Sequence, residues 1–196
     1  MIMNKTKLAG EILADAFLHY PLMKYAFEGQ NEIARSKNLL HLYSNCANAC
    51  AKYGKVITTE NNKGALIWLP GSNFPLGLYR EIKSGMATIP LKIGVKSTLR
   101  LMNHDSVPES WIKKNAGGKM GYIWCLGIVE NERGKGLSRH LVEESIAQMK
   151  AEGINEYWLK TEDPKNVIIY QKFGFEIMHK TIVKSSGIKS WVFRKI

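Results

Sequence analysis

Arg133-Gly134-Lys135-Gly136-Leu137-Ser138 is a glycine-rich turn, and its flanks decide the fold. Before it, Gly121-Tyr-Ile-Trp-Cys-Leu-Gly-Ile-Val129 carries no charge and is rich in β-branched and aromatic residues, the pattern of a buried strand. After it, Leu141, Val142, Ile146 and Met149 recur at helical spacing as far as Gly153. The turn therefore joins a strand to a helix. Its glycines let backbone approach a ligand closely, and the first free N–H groups of the helix point into it. Arg133 and Lys135 add positive charge, so a pyrophosphate is the guest this turn suits. Two common phosphate loops do not fit. A P-loop needs a glycine five positions before Gly134, and Arg139 stands where the last glycine of a dinucleotide fingerprint belongs.

Downstream, Glu156-Tyr-Trp-Leu-Lys-Thr-Glu162 alternates apolar positions like a short strand. It leads into Pro164-Lys-Asn166-Val-Ile-Ile-Tyr170-Gln-Lys172-Phe-Gly-Phe175, where Pro164 suits a helix start and Gly174 its end. The Arg-x-x-Gly-x-Ser turn resembles motif A of the GNAT (GCN5-related N-acetyltransferase) superfamily, and the strand–Asn–helix–Gly-Phe stretch resembles its motif B. Ala-Phe-x-x-Tyr-Pro at Ala16 to Pro21, Trp68-Leu-Pro70 and the lone His104 extend the likeness, most closely to relatives of puromycin N-acetyltransferase.

The rest of the chain is read from punctuation and periodicity. Leu8, Ile12, Leu13, Ala16 and Phe17 mark a first helix stopped by Pro21, and Glu32 to Tyr53 a longer one stopped by Gly54. Val56–Thr59 and Ala65–Leu69 read as a hairpin around Asn61-Asn62, with Pro70-Gly71 ending it. Residues 72 to 118 read as short helical pieces cut by Pro75, Gly77, Gly85, Pro90, Gly94 and Pro108. Phe175 to Val183 and Lys189 to Arg194 close the chain as an antiparallel pair. This order predicts an α/β (α+β) architecture over residues 1–196 as one domain. The resemblance implies the GNAT fold, a mixed and mostly antiparallel sheet flanked by helices and splayed at the acetyl-CoA strand.

The resemblance also implies a chemistry, in which acetyl-CoA donates an acetyl group directly to a primary amine of a small molecule or peptide. The backbones of Leu126, Gly127 and Ile128 would pair with the pantetheine arm, Gly127 allowing its close approach. Arg133, Gly134, Lys135, Gly136, Leu137 and Ser138 would hold the pyrophosphate. Asn166 would contact the pantetheine arm, an ordinary helix N-cap being the alternative, and Tyr170 would protonate the departing thiolate. Lys172 is a further candidate for the 3′-phosphate, or a solvated lysine. The general base is open among Glu60 at the hairpin, Glu162 at the end of the second motif strand, His104 in the irregular segment, and water. Lys160 stands where this branch often has Glu, which sets a cation near the acceptor and argues against cationic acceptors.

Composition limits the alternatives. The net charge is +11, and residues 61 to 118 hold eight Lys or Arg against three Asp or Glu, so a basic module for nucleic acid or a partner is a competing reading. The charges are dispersed without an aromatic-interleaved tract, which argues against nucleic acid. A CoA-binding sensor without catalysis is the other alternative. Three cysteines without framework spacing suit a reducing cytoplasm. Cys46 and Cys50, one helical turn apart with His41 upstream, read as core hydrophobes, and no metal is expected. No apolar run or leader pattern points to a membrane. Dimers are common in the superfamily, and the residues decide neither for nor against one.

Overall fold

α1 (Ile2–Ala16) buries Ala9, Ile12 and Leu13, and its Gly10 lets α3 (Glu32–Tyr53) come so close that a Cβ there would lie 2.6 Å from the Ser44 hydroxyl. The computed structural model describes residues 2–117 and 119–196, so Met1 and Gly118 lie outside the account of both the single domain and the irregular region. α3 begins at Asn31, whose side chain accepts the Ala34 N–H, and ends before Gly54 as its sequence predicts. Pro21 does not simply stop a helix. It occupies the first turn of a second one, α2 (Pro21–Ala26), where its missing N–H costs nothing.

The hairpin is as read, β1 (Lys55–Thr58) antiparallel to β2 (Gly64–Pro70), with Asn62 in the left-handed region at φ 58°. The following segment departs from expectation. After α4 (Leu78–Ser84) and α5 (Ile89–Ile93), α6 runs unbroken over Val95–Asn115, straight through Pro108. Pro108 removes one helical hydrogen bond and crowds the preceding turn, which together cost about 3 kcal/mol in a helix interior. Leu101, His104, Pro108 and Ile112 form one buried stripe, however, and tertiary packing along it outweighs the local defect.

β3 (Met120–Ile128), α7 (Leu137–Ala151) and β4 (Glu156–Thr161) form the strand–helix–strand crossover that makes β3 and β4 the one parallel pair. α8 (Pro164–Lys172) and the antiparallel β5 (Glu176–Val183) and β6 (Ile188–Lys195) follow. The sheet order is β1-β2-β3-β4-β6-β5, so β6 slots between β4 and β5. α1, α3 and α6 cover one face of this sheet, with Tyr122, Cys125 and Trp158 in that core. α7 and α8 cover the other, with Trp68, Ile123 and Phe193. No helix among the described residues is long and apolar enough to cross a membrane.

Gly127 has a packing reason to be a glycine. A Cβ there would lie 2.7 Å from the Ala16 Cβ and 3.1 Å from Leu13, so the missing side chain admits α1. Gly127→Val is expected to cost about 1–3 kcal/mol of stability by overpacking this contact. A melting temperature unchanged from wild type would remove that explanation.

Candidate active site

The sheet comes apart in its middle. β3 and β4 pair only through Met120–Tyr122 and Glu156–Trp158, whereas β4 continues along β6 as far as Thr161 opposite Trp191. Beyond Tyr122 the edge of β3 that faces β4 has no strand partner among the described residues, so its backbone N–H and C=O groups lack a ladder partner there. The divergence coincides with a β-bulge. Ile67 and Trp68 are neighbours on β2, yet they face Cys125 and Ile123, so Trp124 is the extra residue. The bulge re-phases β3, placing Trp124 and Cys125 on the α1/α3/α6 side and Leu126 and Ile128 on the α7 side.

At the far end of β3 lies the glycine turn. Gly134 and Gly136 have φ of 81° and 83°, a conformation that L side chains rarely adopt, and an added Cβ at either would meet nothing within 4 Å. Gly136 is the residue before α7, so the orphan N–H groups of the first helical turn, Leu137 and Ser138 among them, open beside that free space. Arg133 is committed to the scaffold. Its Nε donates to the Ile128 carbonyl at 3.2 Å and Nη2 to the Ala16 carbonyl at 3.3 Å, strapping the turn to β3 and α1. Lys135 is exposed and pairs with Glu132 at 3.0 Å.

On the β4 side, Asn166 is not the N-cap of α8. Asp163 takes that position, accepting the Lys165 N–H, while Asn166 Nδ2 donates to Thr161 Oγ1 at 3.3 Å. Lys172 is exposed. Tyr170 is buried, its ring against Phe173, Phe175 and Phe193. Burial pushes its hydroxyl well above the ordinary phenol range, and Cys125 and Glu162 add to this. The hydroxyl of Tyr170 is therefore held in its neutral form.

The three candidate bases separate. Glu60 is exposed at the hairpin. His104, read from sequence as a loop residue, is on α6 and fully buried, because the continuous helix carries it inward. There it meets Glu162, with Nε2 3.4 Å from Oε1 and poorly aligned for a hydrogen bond, while Nδ1 contacts Ser186 Oγ at 2.8 Å. Glu162 is saturated. Tyr20 donates to it at 2.9 Å, Ser190 at 3.0 Å and Lys160 at 3.1 Å. Burial alone would raise this carboxyl, but Lys160 and His104 outweigh it and hold Glu162 at about 2. A carboxylate so stabilised is a poor proton acceptor near neutral pH.

Lys160 is not a free cation at the acceptor side. It is buried between Asp105 at 2.8 Å and Glu162 at 3.1 Å, so two carboxylates surround one ammonium. Burial opposes its charge, but Asp105 and Glu162 raise it well above the ordinary lysine value. Glu162→Gln is expected to cost about 3 kcal/mol by leaving Lys160 half-compensated. Because the folded Glu162 sits below its unfolded value near ~4.3, its contribution is complete above that value and fades as pH falls toward 2. Thermal melts should show wild type losing stability across that window and the variant losing less; parallel pH profiles would refute the assignment.

Sequence reading missed Tyr20, Asp105 and Glu109. Tyr20 caps the end of β4, accepting the Glu162 N–H at 2.7 Å, which gives the Tyr-Pro pair a structural purpose. Asp105 and Glu109 lie four residues apart beside the buried stripe of α6, a signal hidden once Pro108 is taken as a break. Cys46 and Cys50 lie in the core, and burial pushes Cys46 up to about 12.

Comparison with known proteins identifies the frame. The family model of the GNAT acetyltransferases matches residues 99–175, which span the end of α6, the divergent β3, the glycine turn and α8. An uncharacterized N-acetyltransferase of Schizosaccharomyces pombe is 26% identical over 175 residues, covering 86% of this chain and 70% of that one. Among solved structures, the C-terminal condensation domain of Ebony aligns with 98% of this chain and 94% of its own at TM-score 0.67 and 10% identity. Arylalkylamine N-acetyltransferase 2 from Aedes aegypti aligns over 98% and 94% at TM-score 0.63 and 14% identity. At such identities these two likenesses speak for the fold alone. The family match carries further: residues 99–175 match the GNAT acetyltransferase domain, and the likeness to the yeast relative runs over most of the chain.

Proposed function

We propose that this single-domain protein binds acetyl-CoA along the free edge of β3 and transfers the acetyl group directly to a primary amine in a ternary complex. The observation that carries this is the parting of β3 from β4 after Tyr122, with the bulge at Trp124 at one end and the Gly134/Gly136 turn at the other. The edge at Leu126, Gly127 and Ile128 would receive the amide-rich pantetheine arm, the Ile128 carbonyl being already engaged by Arg133. A preorganised N–H of that edge, aimed at the thioester oxygen, stabilises the negative charge that develops as the amine attacks. The turn offers the pyrophosphate the first N–H groups of α7, Leu137 and Ser138 among them, with Lys135 close by. Arg133 contributes by fixing the turn to β3 rather than by reaching for the anion. Asn166, tied to Thr161 at the end of β4, would contact the same arm.

In the transfer, nitrogen bonds to the carbonyl carbon, the carbon–sulfur bond breaks, and Tyr170 gives its proton to the leaving sulfur. The proton that Tyr170 loses is restored from the nitrogen, which sheds it on becoming an amide. No water or metal takes part in this scheme. The three free cysteines suit a reducing cytoplasm as the working compartment. Titration calorimetry with acetyl-CoA, followed by thiol release over a panel of small primary amines and peptides, tests the reading. Absence of acetyl-CoA binding would overturn it, and binding without thiol release from any amine would mark a CoA sensor instead.

A further inference from the structure

A cavity of about 80 Å³ opens beside the bulge between β3, α4 and α6. Its walls are apolar and aromatic, Phe74, Leu76, Met86 and Trp124 among them, except for two carboxylates, Glu81 and Glu109. Neither carboxylate has a salt-bridge partner among the described residues, in contrast to Glu162 and Asp105 nearby. A third polar group belongs to the same wall. Tyr122 is 1% exposed, lines the cavity, and its hydroxyl has no hydrogen-bond partner among the described residues. A buried hydroxyl left without a partner is unfavourable, so it marks a place where a ligand's polar atom completes the structure. Tyr122 is also the last residue at which β3 is paired to β4. The cavity therefore begins where the free edge begins, on the side of β3 away from the glycine turn.

Resting on the acetyltransferase reading, we propose that this cavity is the acceptor subsite. It takes the ammonium end of a primary monoamine on a short apolar shank, held by Glu81, Glu109 and the Tyr122 hydroxyl, and Glu109 accepts the proton that the amine loses before attack. The shape sets the shank. One water needs about 10–15 Å³ of cavity space, so the cavity takes the ammonium and a short shank and the remainder of the acceptor extends outward. The charge sets the selectivity. A carboxylate on the carbon bearing the amine would sit against Glu81 and Glu109, so amino acids are rejected.

The surroundings of Glu109 fit a proton acceptor. Burial raises its carboxyl first, Asp105 on the same helix raises it further, Lys160 opposes, and Glu162 and Glu81 add to the rise, leaving it at about 8. Burial also raises Glu81. Below that value the free enzyme holds a proton on Glu109. An arriving ammonium favours the ionised carboxylate, so binding releases that proton to solvent. The bound ammonium then passes one of its own protons to Glu109, and the neutral amine attacks.

Titration calorimetry of n-butylamine into the CoA-loaded protein at pH 7, in buffers of different ionisation heat, tests this without turnover. Wild type should release a substantial fraction of one proton per amine bound, and norvaline should bind at least tenfold more weakly than n-butylamine. Glu109→Gln should abolish the proton release and weaken n-butylamine at least tenfold, with CoA affinity within twofold of wild type. Glu81→Gln should weaken n-butylamine while retaining proton release, and serves if the first variant does not fold. With acetyl-CoA and any amine that turns over, kcat/KM should rise with pH through the Glu109 value in wild type and lose that limb in Glu109→Gln. The inference is overturned if n-butylamine does not bind the CoA-loaded protein, if norvaline binds equally well, or if a folded carboxamide variant behaves as wild type. Failure of CoA itself to bind would instead overturn the acetyltransferase reading.

Discussion

Gly136→Glu is expected to remove acetyl-CoA binding altogether while leaving the fold in place. Gly136 sits at φ 83° and ψ −5°, immediately before α7. Two effects follow from one substitution, and their sizes differ. A side chain held in this left-handed conformation costs roughly 1–2 kcal/mol, a modest loss for a domain of this size. The second effect is larger. An added Cβ meets nothing within 4 Å, so the new carboxylate enters the open space beside the first N–H groups of the helix. It would occupy the place proposed for the pyrophosphate and satisfy the same donors, turning a site that attracts anions into one already neutralised. Gly136→Ala separates the two, since it carries the strain without the charge. The alanine variant should lose a few degrees of melting temperature and keep measurable affinity. The glutamate variant should show a near-native circular dichroism spectrum and no heat of acetyl-CoA binding. Affinity within tenfold of wild type in Gly136→Glu would place the anion elsewhere.

What could be read from the chain follows the range over which each feature is decided. β3, the turn and α7 were legible because a charge-free β-branched run, two glycines and a helical apolar row lie within thirty-odd contiguous residues, and no distant contact is needed to interpret them. The end of α3 at Gly54 and the β1–β2 hairpin were legible on the same ground. Prolines misled in two places because their effect depends on position. Pro21 begins a helix rather than ending one, and Pro108 is carried by the packing of Leu101, His104 and Ile112 on either side of it. The start of α8 at Pro164 was legible, and the structure sets aside the alternative of Asn166 as its N-cap, because Asp163 takes that position.

The site itself divides in the same way. The residue types needed for acid–base work were visible, yet their assembly was not. Tyr20 and Glu162 are 142 residues apart in the chain and bonded in the fold. His104 and Glu162 appeared as rival bases, and the fold makes them neighbours in a network that also consumes Lys160, Asp105 and Ser190. The carboxylate with room to exchange a proton is Glu109, hidden in a segment whose helical phase the sequence obscured. Gly127 was singled out for the approach of a cofactor, and its small size serves the packing of α1.

Tyr170→Phe is expected to lower turnover by about 100-fold, the scale of a lost general acid, with acetyl-CoA affinity and melting temperature essentially unchanged. The fold makes this substitution unusually clean. The ring of Tyr170 is held by Phe173, Phe175 and Phe193, with centroids 6.5, 6.0 and 5.7 Å away, and phenylalanine keeps all three contacts. Its hydroxyl makes no hydrogen bond among the described residues, so the variant leaves no partner stranded. A structural role for the hydroxyl therefore predicts no change in any property, whereas a role as acid predicts a loss confined to the chemical step. The leaving group offers a second discriminator. A thiolate depends on the acid, and an acyl donor with a far more acidic thiol depends on it less, so the ratio of wild-type to variant turnover should shrink with such a donor. Because burial keeps the phenol protonated well beyond its ordinary range, no alkaline loss of turnover should arise from Tyr170 below pH ~10. Unchanged kcat in Tyr170→Phe would leave the thiolate to depart unassisted and reduce Tyr170 to the aromatic that seals α8 against the sheet.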